Sequence, residues 1–327
     1  MIWPQEGAPS GREAGGVMGT KGSTIVLDAV DAALMRALQG DGRATFQALA
    51  DGVGLSRTAV RARVRQLVQS GAIRIVGVLH TGVLGMETLG HVSFTASGPV
   101  GPLMGKLGER EAVTFAALTA GRAQAVAQVR VADDHALTAE LAELRSLPGV
   151  EHVEVFRAGS VFKDSHSSVR RLHDIELDAL DWRLVRRLLV DGRASYADLA
   201  RQVGLSQAAA RSRVVRLLDS GVVHVTALVE PSALGANEQL GLGVHCRGDA
   251  EALGVRLAAI DGISFLASGF GRYDLVATLT APDRCRLVEV LETVRAVSGV
   301  GHVETWDHLS VRKERRGGEH LVDWPAG

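Results

Sequence analysis

Cysteine is nearly absent from this chain: Cys246 and Cys285 are the two in 327 residues, and neither stands in a metal-ligand spacing. A disulfide framework and a thiolate zinc site are therefore excluded, and the usage is that of a reduced, cytoplasmic protein. Aromatic residues are sparse, at 4%. Charge of one sign is missing as well, since 36 Lys and Arg face 37 Asp and Glu for a formal net charge of −1. No global field draws the protein to nucleic acid or to a membrane, so any basic surface must be local. Long apolar runs are also lacking. The opening MIWPQEGAPSGREAGGVMGTKGST has no signal-peptide core and is expected to form a disordered leader over residues 1–24. The longest uncharged stretch, Thr88 to Gly105, is broken by glycine and proline and does not span a membrane. The motifs of serine hydrolases, Walker-type nucleotide enzymes and zinc proteases do not occur, so neither catalysis nor a cofactor or metal is expected.

What the chain does contain is itself, twice. VGLSRTAVRARVRQLVQSGAI at residues 53–73 returns as VGLSQAAARSRVVRLLDSGVV at 203–223, an offset of 150 that holds without a gap from Leu27/Leu177 to Gly85/Gly235. Over those 59 aligned positions 26 are identical. Each half divides alike. Apolar residues at helical spacing, Leu34 and Leu38 and then Leu49 and Val53, mark two short helices around the Asp41-Gly42-Arg43 turn. Ser56 is placed to cap a third helix that runs to about Ser70, with Gly71 as its stop. IRIVGVLH then reads as strand.

The remainder of each half alternates β-α-β-β-α-β. GHVSFTA, AVTFAAL, AQAVAQVRV and GVEHVEVF are the strands of the first, ending at Phe156; LGLGVHC, ISFLAS, DLVATLTA and VGHVETW are those of the second, ending at Trp306. This is the ferredoxin-like order, a four-stranded antiparallel sheet with helices on one face. The bare face must be covered, so the two sheets are expected to pair. The fold class is thus α+β, with helix-turn-helix domains at 25–75 and 176–225, βαββαβ domains at 76–163 and 226–313, a linker at 164–175 and a tail at 314–327.

On a helical wheel the third helix turns Val60, Val64, Leu67 and Val68 inward and Thr58, Arg61, Ala62 and Arg65 outward, with Arg57 at its capped end. A helix so divided, held behind a tight turn, suits insertion into the major groove: arginine there pairs bidentately with guanine, and spare cations meet phosphates. The DNA-contacting set is expected to be Arg57, Thr58, Arg61, Arg63 and Arg65 in the first copy, and Gln207, Arg211, Ser212, Arg213 and Arg216 in the second. A helical hairpin with a solvated arginine face would share the pattern. The repeat argues against it, because scaffold positions match while Arg57→Gln, Thr58→Ala, Ala62→Ser and Arg65→Val change the outward face.

These features together resemble the Lrp/AsnC (leucine-responsive, feast/famine) family of transcriptional regulators. The D-G-R-A, L-A-x-x-V-G-L-S and R-V-x-x-L marks occur in both halves, and the resemblance covers about residues 27–163 and 176–313. It implies a sequence-specific regulator of double-stranded DNA, nucleoid-associated when bound, whose βαββαβ domains self-associate. The family ordinarily carries one copy per chain, so the fusion implies a single-chain pseudo-dimer with two non-identical heads. The resemblance also implies an amino-acid or small-carboxylate effector near a G-x-Y-D turn, here Gly271, Arg272, Tyr273 and Asp274; the first half has Gly121-Arg122-Ala123-Gln124. Asp274 is equally suited to stabilising the turn itself. Sirohaem decarboxylases use the same architecture, and His91, His152, His245 and His302 lie on or beside the strands that such an enzyme would use. A protein-interaction module that has lost DNA binding is the third reading.

Overall fold

A computed structural model of the chain describes residues 27–164, 169, 172–173, 176–229 and 238–314. The expected leader, most of the linker and the tail beyond Glu314 lie outside the described residues. Each half opens with three helices and a strand: α1 (Ala29–Gly40), α2 (Phe46–Val53), α3 (Arg57–Gln69) and β1 (Ile73–Leu79), then α6 (Ala179–Val190), α7 (Tyr196–Val203), α8 (Gln207–Asp219) and β6 (Val223–Val229). The caps follow the local sequence. Asp28 and Asp31 form a reciprocal capping box at α1, and the Ser56 hydroxyl accepts from the Ala59 amide at 3.2 Å to begin α3. Between α2 and α3 the chain reverses through Gly54 at φ 68°, a left-handed conformation that glycine adopts without steric cost. One shared core joins the two heads, from Leu34, Leu38, Val60 and Val64 to Leu184, Leu188 and Val214. Val68 does not belong to it. At 43% exposure it stands beside the outward arginine face, because the core stripe on this 13-residue helix is narrower than the wheel implies.

The βαββαβ order is observed as expected. The first half supplies β2 (Thr88–Ala96), α4 (Gly101–Glu109), β3 (Val113–Ala120), β4 (Ala125–Val131), α5 (Asp134–Arg145) and β5 (Val150–Lys163). The second supplies β7 (Glu238–Cys246), α9 (Ala250–Ala258), β8 (Ile263–Phe270), β9 (Leu275–Ala281), α10 (Arg284–Ala296) and β10 (Val300–Glu314). Alternation in β4 shows how the layers form: Ala125, Ala127 and Val129 pack towards the helices, while Val126 enters a second core with Phe115, Phe156, Phe265, Tyr273 and Trp306. That second core is where the two sheets meet, within this one chain.

The strands do more than face each other. β5 and β10 run well past Phe156 and Trp306, and their extensions cross to the opposite half: Arg157 to Lys163 pairs with β8, and Asp307 to Glu314 with β3. The eight strands close in the order β10-β3-β4-β2-β5-β8-β9-β7. Closure leaves no free sheet edge in this body, which removes a template for unwanted pairing. The sequence reading ended both strands early because RAGSVFK has no alternation when judged against its own half. No helix among the described residues is long and apolar enough to cross a membrane.

The core between the sheets is not symmetric. His91, Gln128, Trp306 and His308 occupy one side of it, where the corresponding positions of the other copy are Gly241, Thr278, Phe156 and Ala158. The His91 and Trp306 rings lie 5.7 Å apart, and His308 lies 5.4 Å from Phe115. Burial disfavours the imidazolium form, pushing His91 down to about 3 and His308 to about 4. The unfolded chain takes up these protons near pH 6.5 and the folded chain does not. Stability is therefore unaffected above that pH. Below it the loss is about 1.4 kcal/mol per pH unit for each ring, until the folded value is reached. Urea unfolding between pH 7 and 4.5 is expected to show this decline, with a flatter profile for His91→Gln and His308→Gln; an unchanged slope in both variants would remove the histidines as its cause.

Candidate nucleic-acid interface

The two helical heads are joined by their strands. β1 and β6 pair antiparallel from Ile73 opposite Val229 to Leu79 opposite Val223. The central pair is Val76 with Thr226, which are the same position of the two copies. A ladder centred on its own repeat is a two-fold interface written inside one chain. The Asp-Gly-Arg turns complete it reciprocally. The Gly42 amide donates to the Val225 carbonyl at 2.8 Å, and the Gly192 amide to that of Ile75 at 2.9 Å. Arg43 donates to the Gly192 and Ala194 carbonyls, while Arg193 donates to those of Gly42 and Ala44. Each guanidinium also covers a ring of the opposite head, Arg43 over Tyr196 at 5.0 Å and Arg193 over Phe46 at 4.8 Å. Sequence reasoning treated D-G-R-A as a turn and family mark. The signal available was its identity in both copies beside helices that otherwise diverge.

α3 and α8 present their outward residues on this rigid frame. Arg57, Thr58, Arg61 and Arg65 are exposed on the first, and Gln207, Arg211 and Ser212 on the second. Beside α3 an open cleft of about 460 Å³ is lined by Thr45, Phe46, Gln47, Arg57, Thr58 and Arg61, so the starts of α2 and α3 face one concavity. Three of the expected DNA contacts are engaged elsewhere. Arg63 Nη1 bonds Asp28 Oδ2 at 2.7 Å and Asp31 Oδ1 at 2.9 Å, which ties α3 to the capping box of α1. Arg213 makes the same two bonds to Asp178 and Asp181. Arg216 closes on the other oxygen of Asp181, whose side chain is 1% exposed. The copies agree at Arg63/Arg213 because the position holds the domain together. The hydrogen bonds that Arg63 donates to Asp31 and Asp28 raise its pKa, consistent with a guanidinium already satisfied.

Three of the four expected effector residues, Arg272, Tyr273 and Asp274, also have internal partners. Asp274 Oδ2 accepts from the Cys246 amide at 2.7 Å, and Gln124 Oε1 does the same for Ala96 at 3.0 Å in the first half. The role needs an acceptor and no charge, so Asp274 and Gln124 serve it alike. Gly271 provides the turn at φ 145°, with the Val155 carbonyl 2.7 Å from where a Cβ would stand. Arg272 and the Tyr273 hydroxyl both donate to Glu304, at 2.8 and 3.0 Å. The Arg272 hydrogen bond holds the Glu304 carboxyl below its ordinary range. In the first half Arg122 and Glu154 repeat the ion pair at 2.8 Å.

Comparison with known proteins finds a helix-turn-helix domain in each half. A family model for the AsnC-type helix-turn-helix domain matches residues 27–68 and again 177–218. An uncharacterized HTH-type transcriptional regulator of Pyrococcus horikoshii is 30% identical over 146 residues, which are 42% of this chain and 90% of that protein. An HTH-type transcriptional regulator of Mycobacterium tuberculosis is 31% identical over 137 residues, 41% of this chain and 93% of its own length. Each nearly complete relative thus accounts for under half of the present chain. Among solved structures, the siroheme decarboxylase NirDL superposes over 90% of this chain and 96% of its own at a TM-score of 0.60 and 15% identity, a likeness of fold alone.

Gly192→Ala would set a Cβ 2.5 Å from Val225 Cγ1 and 3.0 Å from the Val76 backbone, whereas at Gly40 nothing lies within 4 Å. Overpacking at the head interface is expected to cost about 1–3 kcal/mol in denaturant unfolding, with Gly40→Ala near neutral; equal effects would place the strain elsewhere. Arg63→Ala is expected to lower the melting temperature while leaving the preferred DNA sequence as it was, and a changed preference would return Arg63 to the reading face.

Proposed function

The chain belongs to the Lrp/AsnC family of DNA-binding, HTH-type transcriptional regulators, and from that premise we propose that it acts as a single-chain pseudo-dimer with two unlike reading heads. The observation that carries this is the β1–β6 ladder centred on equivalent residues, with unmatched side chains on the exposed faces of α3 and α8. The proposed contacts are Arg57, Thr58, Arg61 and Arg65 in one half-site and Gln207, Arg211 and Ser212 in the other. Two-fold related heads read mirrored half-sites about 10 bp, or a multiple of it, apart. Because α3 carries three arginines with no carboxylate partner among the described residues and α8 carries Arg211, the first head supplies most of the phosphate neutralisation.

Effector control is the second element of the proposal. The Arg272–Glu304 pair is a cation and an anion at bonding distance near the sheet surface, their side chains 35% and 24% exposed. A zwitterionic amino acid matches both ends, its carboxylate on Arg272 and its ammonium on Glu304, so it competes with the pair rather than binding Asp274. Such a ligand alters DNA affinity by its preference for one arrangement of the protein and no more. The relatives that establish the family are regulators, and the likeness to a decarboxylase extends to architecture without carrying its chemistry.

Footprinting on the chain's own promoter region at two salt concentrations, with and without a panel of amino acids, tests the reading. Strongly salt-dependent protection of two half-sites is expected, and Arg61→Ala or Arg211→Ala should weaken binding by about 1–3 kcal/mol. Arg272→Gln should abolish any amino-acid response while preserving protection. If neither that region nor a genome-wide pool yields a specific site, the DNA-reading function is wrong.

A further inference from the structure

We infer that residues 57 and 207 set the asymmetry of the operator: Arg57 reads guanine in one half-site, and Gln207 reads adenine at the mirrored place in the other. The inference rests on the DNA-reading function proposed above and assigns it a base at each head.

Geometry makes the two positions comparable. Each is the first residue of its helix, directly after a serine cap: Ser56 accepts from the Ala59 amide, and Ser206 from the Ala209 amide, both at 3.2 Å. Behind them Arg63 and Arg213 lock the two helices to their own capping boxes through matching bonds of 2.7 and 2.9 Å. The β1–β6 ladder then fixes one head against the other. Arg57 and Gln207 are therefore carried to related places by related scaffolds, and what differs is the side chain. Both are exposed, and no hydrogen bond or ion pair engages either among the described residues. Arg57 also lines the cleft at the start of α3, with Thr58 and Arg61.

The chemistry of the two side chains is exclusive. A guanidinium offers two parallel donors, which match the O6 and N7 acceptors of guanine; against adenine one donor meets the N6 amino group, itself a donor. A primary amide offers one donor and one acceptor, which match N7 and N6 of adenine; against guanine its oxygen faces another acceptor. The first turn of a recognition helix is the part that reaches base edges, so this difference is expressed as sequence. Arg61 and Arg211, identical one turn further on, should read the same base in both halves. The operator is then a palindrome broken at a defined position.

Selection from a randomised duplex pool, sequenced after enrichment by the full-length protein, provides the test. The wild-type chain is expected to recover guanine in one half-site and adenine at the mirror position. Arg57→Gln should make the site symmetric with adenine in both halves, and Gln207→Arg symmetric with guanine in both. Each variant should prefer its own symmetric site to the wild-type site by about tenfold to hundredfold. Both substitutions lie on the exposed face, and thermal melting verifies that the variants fold. A wild-type site already symmetric at this position overturns the inference, as does an asymmetry that neither variant moves. If folded wild-type protein enriches no sequence, the DNA-reading function falls and takes this assignment with it.

Discussion

Everything about the heads depends on one short antiparallel ladder. β1 and β6 cross at Val76 and Thr226, the same position in two copies, so the backbone contacts of the turns on one side of the crossing recur on the other. The arginines of the Asp-Gly-Arg turns exploit that geometry by donating to each other's turn carbonyls and covering each other's aromatic ring. Backbone approach is close enough that a Cβ at Gly42 or Gly192 would fall within 3 Å of the opposite strand. A ladder of seven pairs with this reinforcement leaves little freedom for the heads to slide or separate.

The barrel obeys the same two-fold rule with a different device. Each half lends the end of its last strand to the other, and the lysines near those ends meet a carbonyl just beyond a helix of the opposite half: Lys163 on Ile260 and Lys313 on Arg110. Two ferredoxin-like sheets that could have packed face to face are stitched at both edges. In a homodimer these would be intersubunit bonds, formed at a cost in translational entropy and dependent on concentration. Within one chain they are intramolecular.

Fusion also frees the copies to diverge, although identity alone does not mark an arginine as structural, since Arg61 and Arg211 match on the outward face. Positions alike in both copies include Arg43/Arg193 at the head interface and Arg63/Arg213 in the α1–α3 and α6–α8 ion pairs, both structural. Positions that differ, Arg57/Gln207 and Arg65/Val215, lie on the outward face. A homodimer cannot make this distinction between its subunits. The core between the sheets has diverged too, with His91 and His308 on one side and Gly241 and Ala158 in the matching places.

The sequence by itself determined the duplication, the three-helix heads, the order of the βαββαβ elements and the family, because helix caps, left-handed glycines and apolar periodicity are local signals. It also located the third helix of each head. The tertiary structure decided which polar residues on those helices are free. Arg63, Arg213 and Arg216 look like their neighbours in the sequence, yet each faces a carboxylate about 30 residues away in the chain. Asp274 suits a ligand or its own turn equally well in the sequence; in the fold its Oδ2 accepts from the Cys246 amide, and Gln124 accepts from Ala96 in the same way. The ends of β5 and β10 escaped notice because their partners are more than 100 residues distant, and a strand paired across halves owes its pattern to a surface its own half does not contain. Local periodicity reports which face of an element is buried; only the folded chain reports what lies against it.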